Sequence, residues 1–450
     1  MNVCMLFPFF FARTGKRLQE EGETILDILK SAIDWFIGLG GTYFVPIVML
    51  IIGLSCRAGF KTSITSSLLI GIGLTGLNLI TDFSVQAMQP VTKELSSRLN
   101  ADFSIVDIGY GSVTAAWSWP GVPWVILGIV LVNIIMVSLK LTNTLWVDMW
   151  NIWHGQALGV MFWAFSGNLW LGILVGVGTL VLSMFLADFH AKKFQEFNKL
   201  DGVTVPAPSA TFPATFAFFM MKIINVIPGL NRVKASSADL KEKFGLLGEN
   251  SVIGALLGII IGLVAGISIT EIIQLAIKLA AILVILPAML QFVADGILPI
   301  TANLSTFMKE RFKGRELNIA VDPVMLLSDP SVMSTVVIMY PIAIFISAFL
   351  PGNNFLPVAS LAALPYWIGG MAPYTKGNII YNVLLTTLWI IPTTLVATNL
   401  AALTTGAAEL TNILNGSVAK DVLVSCWDEG GNLLLWVLVK ISEFTGIGGI

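Results

Sequence analysis

The sequence predicts an all-α polytopic membrane protein of about ten to twelve transmembrane or re-entrant helices, built as two pseudo-symmetric repeats around a central site. Three observations carry this. Only 12% of the 450 residues are charged and 56% are hydrophobic, where a soluble domain has about a quarter charged. Uncharged runs recur at Phe36–Cys56, Thr62–Thr81, Ile108–Leu139, Met149–Ala187, Asn250–Thr270, Pro330–Thr375 and Gly377–Ala408. Several are long enough for two crossings at roughly 20 residues each. None alternates as a barrel strand would, so inside a bilayer their backbone groups must bond internally, as helices.

Four segments follow along the chain. Residues 1–30 begin MNVCMLFPFFFARTGKR, with the apolar block ahead of the basic residues. That order is the reverse of a signal peptide, and the block is too short to span; a peripheral anchor and a mis-set start codon both fit. Residues 31–187 form a first transmembrane half. Residues 188–249 form a basic linker with eight Lys and Arg, among them Lys192, Lys193, Arg232 and Lys234. Residues 250–450 form a second half. Within the linker Gly202–Met221 is uncharged and ends TFPATFAFFMM. It is too apolar for a solvated loop, and Pro206, Pro208 and Pro213 mark it as a re-entrant segment or half-helix.

The basic linker and a second cluster, Lys309, Arg311, Lys313 and Arg315, are expected on the cytoplasmic side. Asp82–Asp107 and Glu409–Glu429 carry only Lys93, Arg98 and Lys420, so they are expected outside. Pro46, Arg57 and Lys61 before Thr62–Thr81 resemble Pro357 and Lys376 before Asn378–Asn399. YGSVTAAWSWPG (Tyr110–Gly121) has a loose counterpart in CWDEGGNLLLW (Cys426–Trp436). Duplication is one reading of this and the chance likeness of helix pairs is the other. The three cysteines have no CxxC spacing, which suggests neither a metal site nor a disulfide framework.

Polar residues inside the uncharged runs are the candidate functional groups. In VDMWNIWHGQALG (Val147–Gly159), a helical projection puts Trp146, Trp150 and Trp153 on one face. Asp148, Asn151 and Gly155 fall on the opposite face, and His154 lies between. Lipid offers such polar groups no partners, so they point either into a cavity beside Gly155 or into interhelical bonds. In LNIAVDPVMLLSDPSVMST, Asp322–Pro323 and Asp329–Pro330 are two helix starts seven residues apart, as in a broken helix whose first turn faces a cavity. LPGNNFLP and MAPYTKGN mark irregular backbone, with Asn353, Asn354, Thr375, Lys376 and Asn378 as donors and acceptors. A tight external turn explains Asn353–Asn354 equally well. Amides, hydroxyls, a few carboxylates and one histidine suit a neutral polyhydroxylated ligand better than a phosphate or a lipophilic one.

WNIWHG, IPGLNRVKAS with KFGLLGE, RFKGRELNIAVDPVMLL, and LPGNNFLP with KGNII together resemble the galactitol-type enzyme IIC of the bacterial phosphoenolpyruvate-dependent phosphotransferase system. The likeness runs from about Thr24 to Trp436. It implies a homodimeric, multi-pass permease of the bacterial cell membrane, lying among membrane lipid, that binds galactitol or a related polyol or sugar and moves it inward. There a separate enzyme IIB, recharged by IIA, phosphorylates it from a phosphocysteine. The chain by itself is then a transporter, with no cofactor, no metal and no nucleic-acid partner. The resemblance places substrate contacts at Asn151, His154 and Asp322, with Tyr110 and Thr375. It makes Asp322 the candidate base, with His154 as the alternative. Two features depart from the family pattern: Ala207 stands where some relatives carry histidine, and only a short hydrophobic remnant follows Trp436. The rival reading is an ion-coupled secondary transporter in which Asp148 or Asp322 binds Na⁺ or H⁺. A membrane-embedded enzyme is disfavoured, because His154 and His190 are the only histidines.

Overall fold

A computed structural model describes residues 41–55, 57–99, 103–146, 148, 150–199, 201–228, 249–311, 317–413 and 422–447. The N-terminal segment, Arg232–Lys243 and Lys313–Arg315 lie outside the described residues. A helical hairpin, α1 (Gly41–Ser55) and α2 (Phe60–Leu99), leads into β1 (Ile105–Asp107), the short α3 (Gly111–Ala116) and α4 (Val122–Ser138). Then come β2 (Thr144–Leu145), α5 (Trp153–Ser166), α6 (Leu169–Asn198), β3 (Val203–Thr204) and α7 (Pro208–Val226). The same order returns with α8 (Asn250–Ala265), α9 (Ile269–Arg311), β4 (Asn318–Ala320), a 3₁₀ turn (Pro323–Ser328) and α10 (Pro330–Phe349). A second 3₁₀ turn (Ala359–Ala363), α11 (Leu364–Thr375), α12 (Ile379–Asn399), α13 (Ala401–Leu410), β5 (Leu423–Ser425) and α14 (Leu433–Thr445) complete it.

Among the described residues, six helices are long and apolar enough to cross a bilayer: α2 over Phe60–Leu77, α6, α7, α9 over Ile269–Ile300, α10 and α12. Their ends carry the expected chemistry. Asn168, Asn378 and Asn432 cap α6, α12 and α14, each side-chain oxygen accepting two backbone amides, which replaces bonds that the first turn cannot make internally. Both Asp-Pro signals are helix starts: Asp322 precedes the 3₁₀ turn, and Asp329 caps α10 by accepting from the Ser331 amide at 2.8 Å. Of the short remnant after Trp436, the residues up to Thr445 belong to α14.

The strands show how the halves interlock. β1 pairs with β5 and meets Phe355 through an isolated parallel bridge; β4 pairs with β2 on one side and β3 on the other, all parallel. Each half thus sends its first strand between two later extended segments of the other, which is the exchange a pseudo-twofold axis produces. The correspondence differs from the one expected from hydropathy. α1–α2 matches α8–α9 in element order, whereas Pro46–Thr81 does not match Pro357–Asn399. Likewise Tyr110–Gly121 and Cys426–Trp436 are neighbours rather than equivalents, since they follow the adjacent strands β1 and β5. Strands of two or three residues leave no hydropathy signal, while charged helix turns recur everywhere.

The path of α7 is set by polar groups on α6. Val203 O accepts from Gln195, the Thr204 hydroxyl donates to Ala187 O, and Pro206 O accepts from Ser183. After the turn, Thr211 meets Ser183 and Thr215 meets His190. The chain therefore climbs beside α6 to the level of Ser183 and α7 runs back toward the end it came from. α5 and α6 touch closely: a Cβ on Gly155 would lie 2.7 Å from Gly176 O, and one on Gly176 2.8 Å from Gly155 O. This is the small-residue contact that lets membrane helices approach.

Candidate functional site

The loops leaving the strands converge on a buried polar centre, and parallel register explains why. Leu145 of β2 stands opposite Ile319 of β4. Asp148 and Asp322 each lie three residues further along, so the pairing brings two carboxylates side by side. The Asn151 amide bridges them, with Nδ2 donating to Asp148 Oδ2 at 2.6 Å and to Asp322 Oδ2 at 3.0 Å. Asp148 Oδ1 also accepts from the Asn151 backbone amide at 3.2 Å. Asn133 holds the end of β2, accepting from the Trp146 amide and donating to Thr144 O.

Beside this bridge the other layer contributes the turn WDEGG. His154 Nδ1 faces Glu429 Oε1 at 3.0 Å, and the second carboxylate oxygen accepts from the Ser112 hydroxyl at 3.1 Å. On its far edge, His154 Nε2 lies 3.3 Å from the Ser209 hydroxyl at the start of α7. The imidazole stacks on Trp153, with centroids 4.0 Å apart. Trp367 donates its indole N–H to Asp428 Oδ1, while Asp428 Oδ2 is buried with no hydrogen-bond partner among the described residues. The WDEGG turn is seated tightly: a Cβ on Gly431 would fall 2.4 Å from Trp427 O and 2.7 Å from Thr393 O.

Of the five residues expected in the site, four come together. Asn151 and Asp322 are bonded, His154 follows Asn151 by three residues at the start of α5, and Tyr110 packs edge-on against Trp153 and Tyr366. Thr375 does not join them. It sits at the end of α11, bonded to Ala372 O and to Asn382, which in turn reaches Thr335 of α10. Asn353 is likewise a turn former, joined to Ser347 O, Phe355 and Thr398.

The helical projection of 146–155 is corrected. Helix α5 begins only at Trp153, so Asp148 and Asn151 lie in the turn before it. They are neighbours because a turn caps on Asp148, not because a helix has a polar face. Trp146, Trp150 and Trp153 are all buried rather than forming a wall. Gly155 does not open a cavity, because Leu180 and the α6 backbone fill the space beside it. Sequence reasoning left Asp428, Glu429, Ser112 and Ser209 out of the site. The signal was present in WDEGGN, where adjacent acids precede two glycines and a capping asparagine.

His154, Asp428 and Glu429 each offer one metal-ligating atom within 4.8 Å of the others, a grouping from distant segments that spacing did not reveal. The His154–Glu429 hydrogen bond already engages two of the three. The arrangement supplies carboxylate acceptors, one amide, hydroxyls and an imidazole, the complement of a ligand rich in hydroxyl groups.

Helices spanning a bilayer around buried polar groups from both halves define the class: a multi-pass permease. The family model of the PTS system sugar-specific permease component (EIIC-GAT) matches residues 35–416, and the chain belongs to this family. It is 30% identical over 424 residues to the PTS system galactitol-specific EIIC component of Escherichia coli (strain K12), covering 92% of this chain and 91% of that protein. The counterpart from Escherichia coli O157:H7 matches equally. A putative permease IIC component of strain K12 is 29% identical over 369 residues, 82% of this chain and 84% of that protein. The chain is accordingly an integral protein of the bacterial plasma membrane.

Proposed function

We propose that this protein carries galactitol or a closely related neutral polyol inward and presents it to a cytoplasmic phosphocysteine enzyme IIB, itself recharged by IIA, working as a homodimer. The observation that carries the reading is the Asn151 amide shared between Asp148 and Asp322 in a buried centre. A carboxylate oxygen can accept more than one hydrogen bond, so Asp148 and Asp322 can take hydroxyl protons as well as the Asn151 amide, and a polyol supplies many such donors. The galactitol-specific relatives are similar to this chain over nine tenths of their length, which agrees. Asn151, His154, Asp322 and Tyr110 make the contacts.

Phosphoryl transfer asks this chain to hold a hydroxyl in line with the donor and to take its proton. Asp322 is the proposed acceptor, since it sits at the end of β4 in the layer flanked by Lys140, Lys192, Lys193 and Lys199, the side expected to face the cytoplasm. The described part of the linker, up to residue 228, then lies on that side with α7 as its re-entrant limb.

Equilibrium binding of labelled galactitol to the purified protein, competed with arabitol, sorbitol and ascorbate, tests the ligand. Competition by ascorbate at the galactitol level would overturn a neutral-polyol site. The paired Asp148 and Asp322 also fit a cation, which favours the ion-coupled rival. Uptake into vesicles decides between the two: accumulation of unmodified sugar driven by an ion gradient, without IIB, would replace group translocation.

A further inference from the structure

Glu429 is the least expected group in the centre. It is 1% exposed and comes from β5's turn, across from the layer that carries His154. Burying a carboxylate carries a desolvation cost that well-packed apolar groups of similar volume avoid, so cohesion alone does not call for one here. Its bonds among the described residues run to the Ser112 hydroxyl, the His154 ring and, weakly at 4.0 Å, the Cys426 thiol. Ser112 donates to one oxygen, and the other faces His154 Nδ1. The ring is held from three sides: Glu429 at Nδ1, Ser209 at Nε2 and Trp153 beneath.

A carboxylate at one ring nitrogen decides what the other nitrogen can do. With Glu429 as acceptor, the proton resides on Nδ1 and the Nε2 lone pair is exposed as an acceptor. Nε2 points to Ser209, whose 3.3 Å contact is long for such a bond and therefore replaceable. We propose that Glu429 is a positioning residue: it fixes His154 in the Nδ1–H tautomer, so that Nε2 accepts a hydroxyl of the bound polyol in place of Ser209. This rests on the polyol reading, and it assigns a polarity to the site. The centre then presents acceptors on both sides, Asp148 and Asp322 on one and Nε2 on the other, and selects hydroxyl donors.

The test uses the full chain in detergent or nanodiscs. The protein has two histidines, so His190→Gln leaves His154 as the only one, and ¹⁵N-histidine NMR reads its tautomer directly. His190 bonds Thr215 and Tyr374, away from the centre. Should that variant not fold, the two signals are assigned instead by their difference from His154→Gln. The expected spectrum has a protonated Nδ1 and a bare Nε2. Glu429→Gln, whose amide can turn its NH₂ toward Nδ1, should move the proton to Nε2 and weaken galactitol binding roughly tenfold to a hundredfold. A protonated Nε2 in the parent chain, in a neutral or charged ring, overturns the proposal. So does Glu429→Gln with unchanged tautomer and affinity. If the parent chain binds no galactitol, the functional reading falls, while the sugar-free spectrum still decides the part played by Glu429.

Discussion

Replacing Asn151 with leucine removes the side-chain amide that bridges Asp148 and Asp322. Leucine has the same branched set of four side-chain heavy atoms, with bulkier methyl ends, at a buried position that is 2% exposed. What changes is the loss of bonds at 2.6 and 3.0 Å to two carboxylate oxygens. A hydrogen bond to a charged group contributes about 1.5–3 kcal/mol. Leucine also leaves two adjacent carboxylates without the side-chain amide that bridges them, so the thermal midpoint should fall. Binding loses more specifically. The amide oxygen and the orientation of both acids are gone, and a site built to bond hydroxyls then discriminates poorly, by about 1–3 kcal/mol or roughly tenfold to a hundredfold in Kd. Equilibrium binding of labelled galactitol to the purified variant measures this directly. Trp150→Phe is the control, because the Trp150 ring packs on Trp153, with centroids 6.3 Å apart, and its bond to Asp148 comes from the backbone amide, which phenylalanine keeps. Its affinity should stay within about threefold while its stability drops through lost indole volume. If Asn151→Leu binds galactitol like the parent, the bridge is interhelical cohesion and the site lies elsewhere.

Asp322→Asn keeps size and hydrogen bonding but removes basicity; galactitol should still bind while IIB-dependent phosphorylation falls by roughly 10²-fold or more, and unchanged turnover would return Asp322 to a helix-start role. Gly155→Val places carbon 2.7 Å from Gly176 O, which forces α5 from α6. The cost should be about 1–3 kcal/mol or more, seen as a lowered midpoint or failed expression, whereas a cavity at Gly155 would accept valine without loss. Lys193→Cys, in a background with Cys4, Cys56 and Cys426 replaced, should resist impermeant thiol reagents in intact cells, and labelling from outside would invert the proposed orientation.

Much of this protein was legible in the chain itself. Uncharged runs and scarce charge decide that it spans a membrane as helices, because lipid leaves backbone groups no other partner. The two Asp-Pro starts and the charge-free, proline-marked segment Gly202–Met221 that leads into and through most of α7 also follow from local chemistry. Asn151, His154 and Asp322 stood out because polar groups in apolar runs need a reason to be there. The rest depended on contacts that no local pattern encodes. Asp148 meets Asp322 only because β2 and β4 pair in register across 173 intervening residues. Glu429 reaches His154 from a segment 275 positions away. Thr375, by contrast, looked like a ligand contact and is an interhelical tie, because a hydroxyl in an apolar run is satisfied equally well by ligand or by a neighbouring helix. The sequence determined which groups are polar where the membrane is not. The tertiary structure decided which of them face one another, since the short strands that align them are only two or three residues long and carry no periodicity to read.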